Sequence, residues 1–89
     1  MPPLPWLRAF EASARLGNFT RAAEELCLPP SAVSYQVRAL EAELGHKLFD
    51  RRQRLLTLTR LGQNYLPVVA KAFAVIDTGT SGLFGKQRP

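Results

Sequence analysis

The stretch from Pro30 to Leu44 accepts a single register. Val33, Val37, Leu40 and Leu44 fall at i, i+4, i+7 and i+11, one apolar stripe along an α-helix. Ser31, Ser34, Tyr35 and Arg38 recur at i, i+3, i+4 and i+7 on the opposite side. Gly45 follows where a helix end commonly takes the left-handed conformation. Such a helix must be covered by other apolar surfaces. The 89 residues of the chain amount to one domain with a modest core, and 46% hydrophobic residues are ordinary for a globular fold.

Those surfaces are readable on both sides. Pro2, Pro3 and Pro5 form a stiff lead-in, with Pro5 in a first helical turn where its missing N–H costs little. Leu7, Phe10 and Ala14, joined by Trp6, recur at helical spacing, and Gly17-Asn18 stops the helix. A short second helix follows over Arg21–Leu26, with Thr20 as its N-cap and Phe19 folding back as a staple. Ala22, Ala23 and Leu26 give it an inward face small enough for another helix to cross closely. Cys27-Leu28-Pro29 breaks the chain, and Cys27 reads as a small buried residue near the turn. After the third helix, Lys47-Leu48-Phe49 and Leu55-Leu56-Thr57-Leu58 read as a β-hairpin around the basic tip Asp50-Arg51-Arg52-Gln53-Arg54. Thr59 then caps a long fourth helix. Its positions Leu66, Val69, Phe73 and Ile76, at i, i+3, i+7 and i+10, predict a seam for a partner helix, and Pro67 should kink it. From Asp77 onward, Gly79, Gly82 and Gly85 predict a frayed tail. The expected division is 1–58 for the compact domain, 59–78 for the linker helix and 79–89 for the tail.

The order is helix, short helix, turn, helix, basic hairpin, long helix: mainly α, with the proportions of a helix-turn-helix carrying a wing. In that motif the second helix of the pair enters the DNA major groove. Arg38 can bond guanine bidentately or clamp a phosphate, Ser34 can donate or accept, and Ser31 and Tyr35 share the face. Twelve Lys and Arg against seven Asp and Glu leave a formal charge of +5, which favours a polyanionic partner without choosing among DNA, RNA and an anionic membrane. Arg51, Arg52 and Arg54 concentrate that charge where a wing would lie over the backbone or minor groove, with Lys47 and Arg60 flanking. Thr20 and Thr59, each beginning a helix, place free amide groups where phosphate is favoured. For each feature a plainer role competes, as a solvated face, a solvated charged loop or ordinary capping.

Other functions find little in the sequence. No Ser or Cys stands beside an obvious base, and Glu11, Glu24, Glu25, Glu41 and Glu43 fall on expected helix surfaces, so no enzyme is predicted. His46 lacks companions at ligand spacing, so neither metal nor cofactor is expected. The single cysteine, the absence of a signal-like N-terminus and the short, interrupted apolar run from Leu66 to Ile76 predict a cytoplasmic protein with no membrane partner.

The blocks Leu7-Arg8-Ala9-Phe10-Glu11-Ala12, Phe19-Thr20-Arg21-Ala22-Ala23-Glu24-Glu25-Leu26 and Ser31-Ala32-Val33-Ser34-Tyr35-Gln36-Val37 share one register. Leu40-Glu41-Ala42-Glu43-Leu44-Gly45, Leu48-Phe49-Asp50-Arg51 and Leu58-Thr59-Arg60-Leu61-Gly62 continue in step. Together they resemble the N-terminal domain of LysR-type regulators, in the branch of the glycine-cleavage activator and the inducible β-lactamase regulator. The resemblance covers about Leu4 to Ile76. It implies a winged helix-turn-helix whose long linker helix pairs two subunits. It also implies a small-molecule effector bound only by a C-terminal domain that these residues do not include, so the chain is expected to be a piece or a truncated form of a regulator. Where relatives carry Thr or Ser followed by Gln before the third helix, this chain has Pro29 and Pro30. That removes a base-reading Gln and a side-chain cap worth about 1 kcal/mol. Tyr35 stands where relatives often have Arg or His. The expectation is a homodimer that binds an interrupted palindrome in double-stranded DNA and regulates transcription. The alternative is a winged helix used for protein–protein contact without sequence-specific DNA binding.

Overall fold

A computed structural model describes residues 1–52 and 55–85. The sequence begins a helix, α1 (Leu4–Leu16), behind its prolines, and Gly17 ends it at φ 68°. Helix α2 (Phe19–Leu26) starts two residues later. Its cap is Asn18 rather than Thr20: the Asn18 Oδ1 accepts from the Arg21 amide at 2.9 Å. Gly17-Asn18 does stop α1 as the sequence predicts, and a short amide directly after a left-handed glycine can serve both helices. Thr20 and Phe19 therefore lie inside the first turn of α2. Its other end is Cys27, held at φ 58° and exposed, not buried. The backbone reverses there so that the Leu28 amide can reach the Ala23 carbonyl at 2.9 Å. A left-handed turn at a non-glycine residue is uncommon and carries strain.

Helix α3 (Pro30–Leu44) opens on Pro29 and Pro30 without a side-chain cap, and Gly45 closes it at φ 76°. Val33, Val37 and Leu40 have no exposure, while Leu44 is half-buried. Ala9, Ala12, Ala22 and Ala23 are equally buried where α1, α2 and α3 cross, which lets the three backbones approach closely. Phe10 sits at the centre. Its ring meets Phe49 edge-on at 5.6 Å between centroids and Tyr65 at 5.7 Å, and Phe19 meets Phe49 at 5.8 Å.

The hairpin is shorter than its apolar runs. Strands β1 (Phe49–Asp50) and β2 (Thr57–Leu58) pair antiparallel, Phe49 opposite Leu58 and Asp50 opposite Thr57. Helix α4 (Arg60–Phe84) is continuous through Pro67 and also through Gly79 and Gly82, so residues 79–84 are helical and not a frayed tail. The architecture is a mainly α, winged helix-turn-helix followed by a long helix, and among the described residues no helix is long and apolar enough to cross a membrane.

Candidate nucleic-acid interface

The polar side of α3 faces away from the core. Ser31, Tyr35 and Arg38 are exposed and Ser34 is half-buried. Tyr35 keeps 68% of its surface, high for a residue of that size on a folded domain. The helix holds this face rigidly because its other side packs into both α1 and α2. Thr20 lies exposed in the first turn of α2.

The wing arginines part company. Arg52 stands out in solvent, with 87% of its side chain exposed, and forks onto Asp50 at 2.8 and 3.0 Å. The Arg52 side chain, helped by its own backbone amide, pulls the Asp50 carboxyl down to about 2. A phosphate approaching Arg52 therefore competes with an ionised carboxylate. Arg54 lies outside the described residues. Arg51 departs from the expectation that it contacts DNA. Its Nη1 donates to Glu41 at 3.1 Å, its guanidinium lies 5.7 Å from the centroid of the Phe19 ring, and its Nε and Nη2 have less than 1 Å² of accessible surface each. The side chain is turned inward, and nucleic acid does not reach those nitrogens in this arrangement.

Glu41 is the residue that sequence reasoning missed. Expected on a helix surface, it is only 4% exposed. One carboxylate oxygen, Oε2, accepts from two successive amides, Leu48 at 2.7 Å and Phe49 at 3.1 Å. The signal was available in the spacing, since Val33, Val37 and Glu41 run at i, i+4 and i+8 along the inner stripe. A buried carboxylate persists only where donors surround it.

Thr59 caps α4 as expected, but its hydroxyl works inside the protein. It accepts from the Gly62 amide at 3.1 Å and donates to the Lys47 carbonyl at 2.8 Å, while the Thr59 amide bonds the Leu48 carbonyl at 2.9 Å. The start of α4 is thereby fastened to the base of the wing. Lys47 and Arg60 remain exposed beside it. Away from this face, Arg15 bridges Glu11 on its own helix and Glu25 on α2, which holds the Glu25 carboxyl below its ordinary range.

The expected seam on α4 is largely spent within the domain. Val69 is 4% exposed, and Leu66 and Phe73 pack half-buried against the same core, with Arg8 stacked 5.0 Å from the Phe73 ring. The reason is that the helix-turn-helix has its own apolar flank to cover, and α4 covers it. Of the four, Ile76 remains open at 58%. Among the described residues no three His, Cys, Asp or Glu side chains come together in a metal-binding group.

Comparison with known proteins places this geometry. The profile of the bacterial regulatory helix-turn-helix proteins, lysR family, matches residues 4–63. The chain is 48% identical over 83 residues to the glycine cleavage system transcriptional activator of Escherichia coli, covering 93% of this chain and 27% of that protein. It is 56% identical over 71 residues to the HTH-type transcriptional activator AmpR of Pseudomonas aeruginosa, covering 80% and 24%. The chain thus spans about a quarter of the length of these curated relatives. Among solved structures it resembles BenM DBD in complex with catB site 1 DNA, with a TM-score of 0.85, 32% identity, and 91% and 90% of the two chains covered. It also resembles Vibrio fischeri DarR in complex with DNA, with a TM-score of 0.77, 31% identity, and 88% and 27% covered. A match along two thirds of the chain, in register with the helices and wing described above, makes this chain a member of the lysR family of bacterial regulatory helix-turn-helix proteins.

Proposed function

We propose that this chain is the double-stranded-DNA-reading domain of a transcription regulator. Helix α3 enters the major groove and the wing lies over the adjacent backbone or minor groove. The observation that carries this reading is the exposed face of Ser31, Tyr35 and Arg38 on a rigid helix. It occurs in a chain that superposes over nine tenths of its length on BenM DBD, solved with DNA. Arg38, Ser34 and Tyr35 read bases. Arg52, with Lys47, Arg60 and the tip residue Arg54, supplies phosphate contacts, and Thr20, exposed in the first turn of α2, adds another. Residues 1–58 form the reading unit and α4 the linker. A small-molecule effector would be bound by the part of a full-length regulator that corresponds to the unmatched three quarters of its relatives.

The test is a fluorescence titration with a duplex selected from a random pool, against an unselected duplex. Log affinity should fall linearly with log salt for both. Arg38→Ala should weaken the selected duplex about 10- to 100-fold and the unselected one far less, the worth of one bidentate base contact. Arg52→Ala should weaken both alike. A folded protein that binds neither duplex at low salt would leave protein–protein contact as the function of this fold.

An interrupted palindrome calls for two paired chains, and α4 offers a face for pairing other than the expected one. Leu61, Val68 and Val75 recur every seven residues and are 45%, 61% and 62% exposed, with Ile76 and Leu83 continuing the apolar surface. Seven-residue spacing is what two parallel or antiparallel helices need to stay in contact. Replacing Val68 and Val75 together by Glu should give a folded monomer in sedimentation velocity. Affinity for a duplex with two half-sites should drop by about 100-fold or more, since the second contact loses its tether. An unchanged sedimentation coefficient would remove this face from the interface.

A further inference from the structure

Arg51, Glu41 and Phe19 come from three different elements and meet under the wing. Glu41 belongs to α3, one turn beyond Arg38. Its Oε2 holds the Leu48 and Phe49 amides, where the chain enters β1, and its carboxylate holds Arg51, where the chain leaves β1. Its backbone carbonyl also accepts from the Gly45 amide at 2.8 Å and the His46 amide at 3.2 Å. The Phe19 ring of α2 lies under the Arg51 guanidinium and meets Phe49 edge-on. Both ends of β1 are thus tied to a single residue of the helix that carries the proposed base contacts.

We infer that Glu41 and Arg51 are positioning residues which set the angle of the wing relative to α3. Neither touches DNA. Their effect on binding passes through the placement of Arg52 and the wing tip over the backbone while α3 is in the groove. The inference rests on the DNA-reading function proposed above and adds to it a sign that simple electrostatics does not give. Glu41→Gln removes a negative charge from a protein that binds a polyanion, so charge alone calls for tighter binding. Loss of the tie calls for weaker binding, because a neutral amide leaves Arg51 without its charged partner and the wing without a fixed base.

The experiment titrates wild type, Glu41→Gln and Arg51→Lys with the selected duplex at several salt concentrations. Folding is monitored by circular dichroism well below each melting point. Glu41→Gln should bind about 10-fold more weakly and show a shallower salt dependence, by about 1 to 2 in the log–log slope, as wing phosphate contacts are lost. Hydroxyl-radical protection should fade in the flanking segment under the wing and persist where α3 lies, which a general loss of folded protein would not produce. Arg51→Lys keeps the charge but loses the planar guanidinium that lies over the Phe19 ring while its Nη1 reaches both Glu41 oxygens. It should repeat the same pattern more mildly, and it serves if Glu41→Gln does not fold. Equal or tighter binding by a folded Glu41→Gln, or unchanged affinity and footprint for Arg51→Lys, would overturn the inference. Failure of wild type to bind any duplex would instead remove the function on which it rests.

Discussion

Phe10→Ala will lower the stability of the domain by about 3–5 kcal/mol, the usual cost of emptying a buried aromatic site. Phe10 has no exposed surface, and its ring is the contact shared by Phe49 at the wing base and Tyr65 on α4. The cavity cannot close easily. The alanines at the helix crossings already bring the backbones together, so the surrounding elements have little room to move inward. A domain of this length has a total stability on the order of 5–10 kcal/mol, so the change removes a large part of it. Thermal melting by circular dichroism should show a midpoint lowered by about 15 °C or more. Phe10→Leu, which keeps most of the volume, should lose about a third as much. A melting shift of only a few degrees for the alanine variant would mean that the helices and wing are not held by this ring.

Periodicity exposed most of the helical frame because the frame is built from apolar stripes. Val33, Val37 and Leu40 needed only their spacing to be placed inside, and Gly17 and Gly45 end their helices for a reason carried by the residue itself. The failures share a cause: they depend on what a neighbouring segment demands. The spacing puts Glu41 on the inner stripe of α3, but the Leu48 and Phe49 amides that let a carboxylate stay buried there belong to another segment. Arg51 turns inward to meet it, although in sequence it is indistinguishable from Arg52 in the same basic run. Val69 fits a partner-helix seam and a domain core equally well, and the nearer apolar flank took it. Cys27 is exposed because its backbone must turn left-handed, and its small, apolar side chain gave no hint of that. The glycines beyond Asp77 predict a frayed tail, but their helix penalty of about 1 kcal/mol each is weaker than the continuity of a long helix already formed. The exposure of Ser31, Tyr35 and Arg38 on α3, in contrast, follows from the opposite stripe, which had to be buried.

Gly62→Ala will also destabilise the domain, against the ordinary preference of helices for alanine. In a helix interior that exchange gains up to about 1 kcal/mol. Here an added Cβ would stand 2.2 Å from the Leu48 carbonyl oxygen and 2.9 Å from the Leu58 Cδ2. The Leu58 methyl can swing away, but the carbonyl is backbone, and the Thr59 amide already holds it at 2.9 Å. Relief requires α4 to back away from the wing base, which breaks the Thr59 bonds to Lys47 and Leu48 together. Overpacking of this kind costs about 1–3 kcal/mol and often more against rigid backbone, so the net loss should be about 2 kcal/mol or greater, near 10 °C in melting midpoint. Gly79→Ala supplies the contrast. Nothing lies within 4 Å of its added Cβ, and the last turns of α4 are exposed. That change should raise helix content in far-ultraviolet circular dichroism while leaving the main melting transition in place, because those turns carry none of the core. A Gly62→Ala protein as stable as wild type would show that α4 can be seated on the wing without this close approach, and the fastening at Thr59 would then lose its structural importance.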